Sequence, residues 1–203
     1  MDDHPSDLYR VAEAIVSVPC SITAMDRQDI LDSLLLAQLY ASRQHDALEA
    51  ASEWATTCLT SLNNLHWGLI SSFHKAKTLT DAFSVKSVIE HAATVEVLDR
   101  LSTEARQTMH TYSTRQRSGL FQVKLAIVRI TARDRFNLMS LLFNCAPSPE
   151  YDWINQQHYA SLQAPVVAKL NEASFSQTAD YADVRMKVVK ALGAQRLKEI
   201  QLL

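Results

Sequence analysis

Seven histidines, three cysteines and two closely spaced carboxylate pairs are the side chains from which this chain could build chemistry. Metal binding from one helix needs two ligands three or four residues apart on one face. His4, His45, His66, His74, His91, His110 and His158 show neither HxxxH nor ExxH spacing. Glu90 and His91 are adjacent, so on a helix their side chains diverge by about 100°. Glu49 with Glu53, and Asp29 with Asp32, share a helical face, which an exposed acidic surface explains. No metal is expected. Nucleophilic catalysis needs a Ser or Cys held against a base. No GxSxG occurs, and none of Cys20, Cys58 and Cys145 has a histidine within a helical turn. Glycine stands only at positions 68, 119 and 193, too scattered for a phosphate cradle. The expectation is a protein with no enzymatic activity and no cofactor, unless residues distant in sequence assemble a site.

The three cysteines lie far apart without CxxC spacing, the pattern of reduced, buried thiols. The start, Met1-Asp2-Asp3-His4-Pro5, has no basic or apolar signal region, so a cytoplasmic location is expected. Between Glu53 and Lys75, 21 residues carry no Asp, Glu, Lys or Arg. That length would span a bilayer. Only ten of them are strongly apolar, and hydrocarbon would penalise the Thr, Asn and His among them. No transmembrane segment is expected there, only a charge-poor amphipathic one.

Charge is uneven. Residues 1–60 hold ten acids and three bases, net −7, whereas residues 100–135 hold eight bases and two acids, net +6. Pairing between these regions, within or between molecules, is the simplest reading. A basic face of Arg100, Arg106, Arg115, Arg117, Arg129 and Arg133 would suit an acidic protein partner. Nucleic acid is not expected, because the whole chain carries −2 and no recognition motif accompanies the patch.

Three glycines and five prolines in 203 residues leave few joints, and hydrophobic spacing points to helices. Residues 5–18 read as a helix ended by Pro19. Thr23 or Asp26 then caps a run that stays apolar on one face from Ile30 to about Thr78, with a break available at Ser42–Asp46. Ser84 caps a further helix with the stripe Val85, Val88, Ala92, Val95, Leu98, Leu101, Ala105, Met109 and Tyr112. Residues 120–143 are β-branched enough for a strand, but with no turn chemistry around them helix is preferred. Asn144–Pro149 reads as a loop, Tyr151–Gln163 as a helix, and a last helix runs from Thr178 or Asp180 to the end. The fold class expected is therefore all-α, a bundle of about five to seven amphipathic helices with two long central ones. Residues 1–118 would form a long-helix region and 119–203 a helical region packed on it as a single domain. The aromatic groups Trp54, Trp67, Phe73 and Tyr151, Trp153, Tyr159 are expected in the core, or at a boundary between apolar matter and water.

Residues 30–116 carry a further pattern. An uncharged amphipathic segment, Ala55–Phe73, leads through Lys75-Ala76-Lys77-Thr78-Leu79-Thr80-Asp81-Ala82 into Ser84-Val85-Lys86-Ser87-Val88-Ile89-Glu90 and a long helix. This resembles the phasin family, bacterial proteins that coat polyhydroxyalkanoate storage granules. Three Trp and three Cys depart from that family's composition, and residues 120–203 lie outside the resemblance. The resemblance implies a granule-associated homo-oligomer whose apolar stripe, Leu59, Leu62, Leu69, Phe73, Val85, Val88 and Val95, lies on a polyester surface. The alternative is a helical protein–protein interaction module, an adaptor, immunity or regulatory protein, that works through its acidic first third or basic middle. Both readings use the same amphipathy, since a stripe that coats a surface would equally fill a bundle.

Overall fold

The computed structural model describes residues 6–117, 120–146 and 152–203. It is not an all-α bundle: eight strands form one sheet in the order β3-β7-β6-β5-β2-β1-β8, with β4 paired to β5 off that path. The helix expected over residues 5–18 is a hairpin, β1 (Ser6–Val11) against β2 (Ala14–Pro19), antiparallel with Val11 opposite Ala14 and Ser6 opposite Pro19. Its two-residue turn places Ala12 at φ 50°, a left-handed conformation taken without glycine.

Helix α1 (Ala24–Gln44) starts where expected, with the Thr23 hydroxyl accepting from the Asp26 N–H at 3.1 Å. The helix does break, but at residues 45–50, which meet the expected Ser42–Asp46 stretch only at His45 and Asp46, and α2 (Ala51–Asn64) follows. The long helical run then ends. His66 at φ 68° turns the chain into β3 (Trp67–Leu79), so the Lys75–Leu79 part of the joint in the resemblance lies inside a strand. The second long helix is three short ones, α3 (Val85–Val88), α4 (Ala92–Asp99) and α5 (Thr103–Ser113). Ser84 does cap, its hydroxyl accepting from the Ser87 N–H while the Ser87 hydroxyl accepts from the Ser84 N–H.

β4 (Thr114–Arg117) pairs antiparallel with β5 (Leu120–Ala132), and β6 (Arg135–Cys145) follows a short turn. Val123 and Leu125–Val128 of β5 are all buried, on both faces of the sheet. An interior strand of this kind reads as a continuous apolar run, which periodicity does not separate from a buried helix. The described part of the helix expected at Tyr151–Gln163 forms turns, while Tyr151 itself and the Pro147–Pro149 stretch of the expected loop lie outside the described residues. β7 (Val166–Gln177) precedes α6 (Ala182–Leu192), α7 (Gln195–Glu199) and β8 (Ile200–Leu202). Gly193, at φ 50°, interrupts the helix expected to run to the end.

The chain divides into two compact units. The first takes the described residues up to Ser72, with Val128–Leu138 and Ala173–Leu202. In its core Phe136 stacks on Phe175 (4.8 Å between ring centres) and meets Trp67 tilted (5.1 Å), in one cluster with Leu31, Leu35 and Leu62. Two acids of the first third, Asp29 and Asp32, are paired here. Asp29 takes two bonds from Arg185, at 2.8 and 2.6 Å, and Asp32 accepts from Arg196 at 2.9 Å. The second unit takes Phe73–Ile127 and Met139–Glu172 within the described residues. Phe83, Phe143 and His158 pack together there, with centroids 5.2 to 5.4 Å apart.

Candidate functional site

The residues of the expected stripe are distributed over four elements. Leu59 is half-buried and Leu62 buried on α2; Val85 and Val88 are buried on α3; Val95 is half-buried on α4. Their methyl groups fill core. Leu69 and Phe73 differ: both lie on β3 and face solvent, with 48% and 57% of their surface exposed. The basic residues are likewise spread over several elements, with only Arg115 and Arg117 on one strand. Arg100 is exposed at the end of α4, Arg106 is half-buried on α5 and donates to Asp152 at 3.1 Å, and Arg115 is exposed on β4. Arg129 is half-buried on β5, Arg133 is exposed in the turn after it, and Arg117 stands in β4 with its side chain outside the description.

β3 is anchored at both ends and bare between them. At its start Trp67 is buried, and its indole N–H donates to the Ser33 hydroxyl at 3.0 Å, which donates in turn to the Asp29 carbonyl at 2.7 Å. The His66 carbonyl accepts from the Thr178 N–H at 2.8 Å and from its hydroxyl at 3.1 Å. Gly68 allows that approach, because a Cβ there would stand 2.5 Å from Thr178 Cγ2. Further along, His74 Nδ1 meets Asn171 Oδ1, and the Asn171 amide donates to Ser140. Gly68 against Thr178 and His74 against Asn171 fix β3 antiparallel to β7. Leu79 is buried at the far end.

Between these anchors, all six residues from Leu69 to His74 are exposed. Successive side chains of a strand point to opposite faces, so neither face of this segment is covered. Ile70, 59% exposed, joins Leu69 and Phe73. A helical period sets Ile70 off the stripe; the uncharged tract from Trp54 to His74, with Gly68 inside it, is the sequence signal that could have found it. β3 also ends the strand order, so its outer backbone groups pair with no other described strand. Charge begins only at Lys75 and Lys77, which meet the Glu90 carboxylate at 2.8 and 3.9 Å. The Lys75 hydrogen bond holds that carboxyl below its ordinary range.

The first unit also contains an open cavity of about 500 Å³, lined by Asp29, Arg185, Tyr181, Trp67, Arg133 and Asp134 among others. Its charges have structural duties. Asp29 and Arg185 neutralise each other, and the pairing raises the Arg185 pKa. Asp26 accepts from the Thr23 hydroxyl at 2.8 Å, and Asp180 accepts from the Ala182 N–H at 2.9 Å at the start of α6. Carboxylates at two helix N-termini satisfy the local dipoles. Burial pushes the Tyr181 hydroxyl well above the ordinary phenol range. No nucleophile is held against a base among these described residues, and no three His, Cys, Asp or Glu side chains gather for a metal among the described residues of the whole chain. Nor is any helix long and apolar enough to cross a membrane among them.

No family model matches the chain, and no curated protein matches it in sequence. Several solved structures are similar to it at a distance, three of which follow. The activated Cyt2Ba monomer from Bacillus thuringiensis subsp. israelensis is 10% identical, covers 78% of this chain and 96% of its own, and has a TM-score of 0.42. The Evf virulence factor is 8% identical over 90% of this chain and 81% of its own, with a TM-score of 0.45. A delta-endotoxin is 7% identical over 80% and 83%, with a TM-score of 0.43. Likeness this remote transfers no function.

Proposed function

We propose that this is a non-enzymatic interaction protein that docks a protein partner on the outer edge of β3. The observation that carries the reading is the run Leu69–His74, exposed on both faces of an end strand and holding three large apolar side chains. An end strand offers alternating N–H donors and C=O acceptors, and a partner strand satisfies both. A polyester offers only ester oxygens, which accept. It would leave the strand's carbonyls without donors, at a cost per buried group of about 1–3 kcal/mol. The granule surface of the phasin resemblance is therefore the second reading, supported by the apolar side chains alone. No disulfide joins Cys20, Cys58 and Cys145, which suits a reducing compartment, and the cytoplasm is the proposed setting.

A photo-reactive phenylalanine analogue replacing Ile70 tests this in the cell of origin. Cross-linked protein adducts are expected at position 70 and not at Met186, an exposed apolar residue on α6. Equal labelling at both positions, or none at 70, would overturn the reading. Co-sedimentation with polyhydroxyalkanoate particles that Ile70→Lys abolishes would favour the granule surface instead.

A further inference from the structure

We propose that residues 152–165 form an acid-released strap over the aromatic core of the second unit, with His158 as its latch. The strap forms turns and one isolated bridge, with no helix of its own. His158 holds it in two ways. Its N–H donates to the Phe83 carbonyl at 2.7 Å, and its carbonyl accepts from the Phe83 N–H at 2.9 Å. Its buried ring packs against Phe83 and Phe143, with Nε2 at 2.9 Å from the Trp153 carbonyl. A carbonyl only accepts, so Nε2 carries the hydrogen of the neutral ring, and a second proton must go to Nδ1. Beyond this latch the strap is held by the fully buried Trp153 and Ile154, and by Asp152, which accepts from Arg106 at 3.1 Å.

Two polar groups of the strap gain by leaving. The Trp153 indole N–H is buried with no acceptor among the described residues, and water would supply one. The His158 imidazole, once in water, can take the proton that its packed position resists: burial is the larger influence on the ring, and the Trp153 carbonyl opposes it. The charged groups of the elements packed on it are engaged or turned to solvent. Asp152 is taken by Arg106 and by the Asn155 amide at 2.9 Å, Asp81 near Phe83 is exposed, and Lys86 pairs with Asp99. β6 carries no charge from Phe136 to Cys145. Falling pH therefore favours the released strap, which binds the proton more tightly. Between pH 7 and pH 5, a freed histidine of ordinary pKa raises the opening equilibrium by up to about 25-fold, the limit in which the packed ring stays neutral. Release would uncover Phe83 and Phe143 and carry Trp153 and Ile154 into water beside Tyr159 and Leu162, which are already exposed. Acid would thus open a closed aromatic core into an apolar surface, a device independent of the β3 edge.

Hydrogen–deuterium exchange of the full chain, read by mass spectrometry at pH 7 and pH 5 and corrected for the intrinsic rate, tests the inference. Opening of the strap is expected to rise several-fold at pH 5, up to about 25-fold, while α1 and β5 keep their protection. His158→Phe keeps a ring in place but takes up no proton, so its strap should show the same opening at both pH values, whatever its level. A rise below about twofold in the native chain would overturn the inference. So would a rise shared by α1 and β5, which is general unfolding, or an equal rise in the variant. Should His158→Phe fail to fold, a nuclear magnetic resonance titration of the native chain decides. A His158 ring that takes its proton in the folded state at or above the ordinary value overturns the latch, and one that takes it below supports it.

Discussion

Arg10 and Glu199 stand 3.0 Å apart, Nη1 to Oε2, with the arginine side chain 1% exposed. The same guanidinium donates to the Ala12 and Lys198 carbonyls, both at 3.0 Å, and to Gln201 at 3.3 Å. One buried cation thereby ties the β1–β2 turn to α7 and β8, whose strand pairs Val11 with Ile200. Removing one member of a buried pair leaves the other uncompensated, at about 3–5 kcal/mol. Arg10→Ala, which also frees two carbonyls and Glu199, is expected near the top of that range in urea denaturation. Glu199→Ala leaves the arginine its carbonyl partners and is expected to cost less. Equal losses would show that the carbonyl contacts contribute nothing.

The turn that Arg10 secures is itself strained. Ala12 sits at φ 50° while its N–H donates to the Glu199 carbonyl at 3.0 Å. A left-handed conformation costs an L residue with a Cβ about 1–2 kcal/mol, and glycine escapes it. Offsetting glycine's larger unfolded-state entropy, Ala12→Gly is expected to stabilise by about 0.5–1 kcal/mol. A branched side chain is worse than alanine there, so Ala12→Val should destabilise. Thermal melting checks both signs, and a lower melting temperature for the glycine variant would refute the strain.

That alanine turn also explains where the sequence misleads. Leu8, Val11, Ile15 and Val16 keep helical spacing across two strands because nothing between them announces a turn, and the buried Arg10 hides the strand alternation. Local chemistry was legible: Thr23 and Ser84 cap, and the chain breaks from His45, at the end of the polar Ser42–Asp46 stretch. Over residues 85–112 the stripe names interior residues in part: Val85, Val88, Leu98, Leu101, Ala105 and Met109 are buried, whereas Val95 is half-buried and Ala92 and Tyr112 are exposed. It misses the breaks, because no Pro or Gly marks them and the Ser102 cap reads as one more polar residue. At β3 the spacing picks out Leu69 and Phe73 for a helical face, but their exposure arises from an uncovered end strand, a tertiary fact that no local period encodes.

Gly68 makes a second backbone test. With its Cβ 2.5 Å from Thr178 Cγ2, Gly68→Ala must move a β-branched side chain whose hydroxyl already donates to His66. Overpacking of this kind costs about 1–3 kcal/mol. The double variant Gly68→Ala with Thr178→Ser removes the clashing methyl while keeping a hydroxyl, and is expected to recover most of the loss. No recovery would place the strain elsewhere.

In the second unit, His158 is buried and packed between Phe83 and Phe143, with Nε2 2.9 Å from the Trp153 carbonyl. Burial lowers its pKa below the ordinary 6.5, and the bond to the Trp153 carbonyl offsets part of that shift. The folded state therefore binds the proton more weakly than the unfolded state. The stability this gives is full above the unfolded value and is lost as pH falls below it toward the lower folded value. Urea denaturation of the native chain should show a stability loss between about pH 7 and pH 5 that His158→Phe reduces. An unchanged slope in the variant would exclude His158 as the source. The phenylalanine orphans the Trp153 carbonyl, so its lower stability at neutral pH is expected and bears only on the offset.

The cysteines divide by environment. Cys20 is exposed, Cys58 is buried, and Cys145 is 2% exposed with its thiol pushed up to about 11 by burial. Disulfide exchange requires the thiolate, and at about pH 8 a thiol with that value is ionised only about once in a thousand. Titration of the native chain with an aromatic disulfide reagent should therefore release one fast equivalent of the three thiols, which Cys20→Ser removes. The other two should follow only with denaturant, at the rate of unfolding. Rapid release of a second equivalent from the folded Cys20→Ser chain would mean that a core packed by Phe143 or Leu62 opens far below the global unfolding threshold.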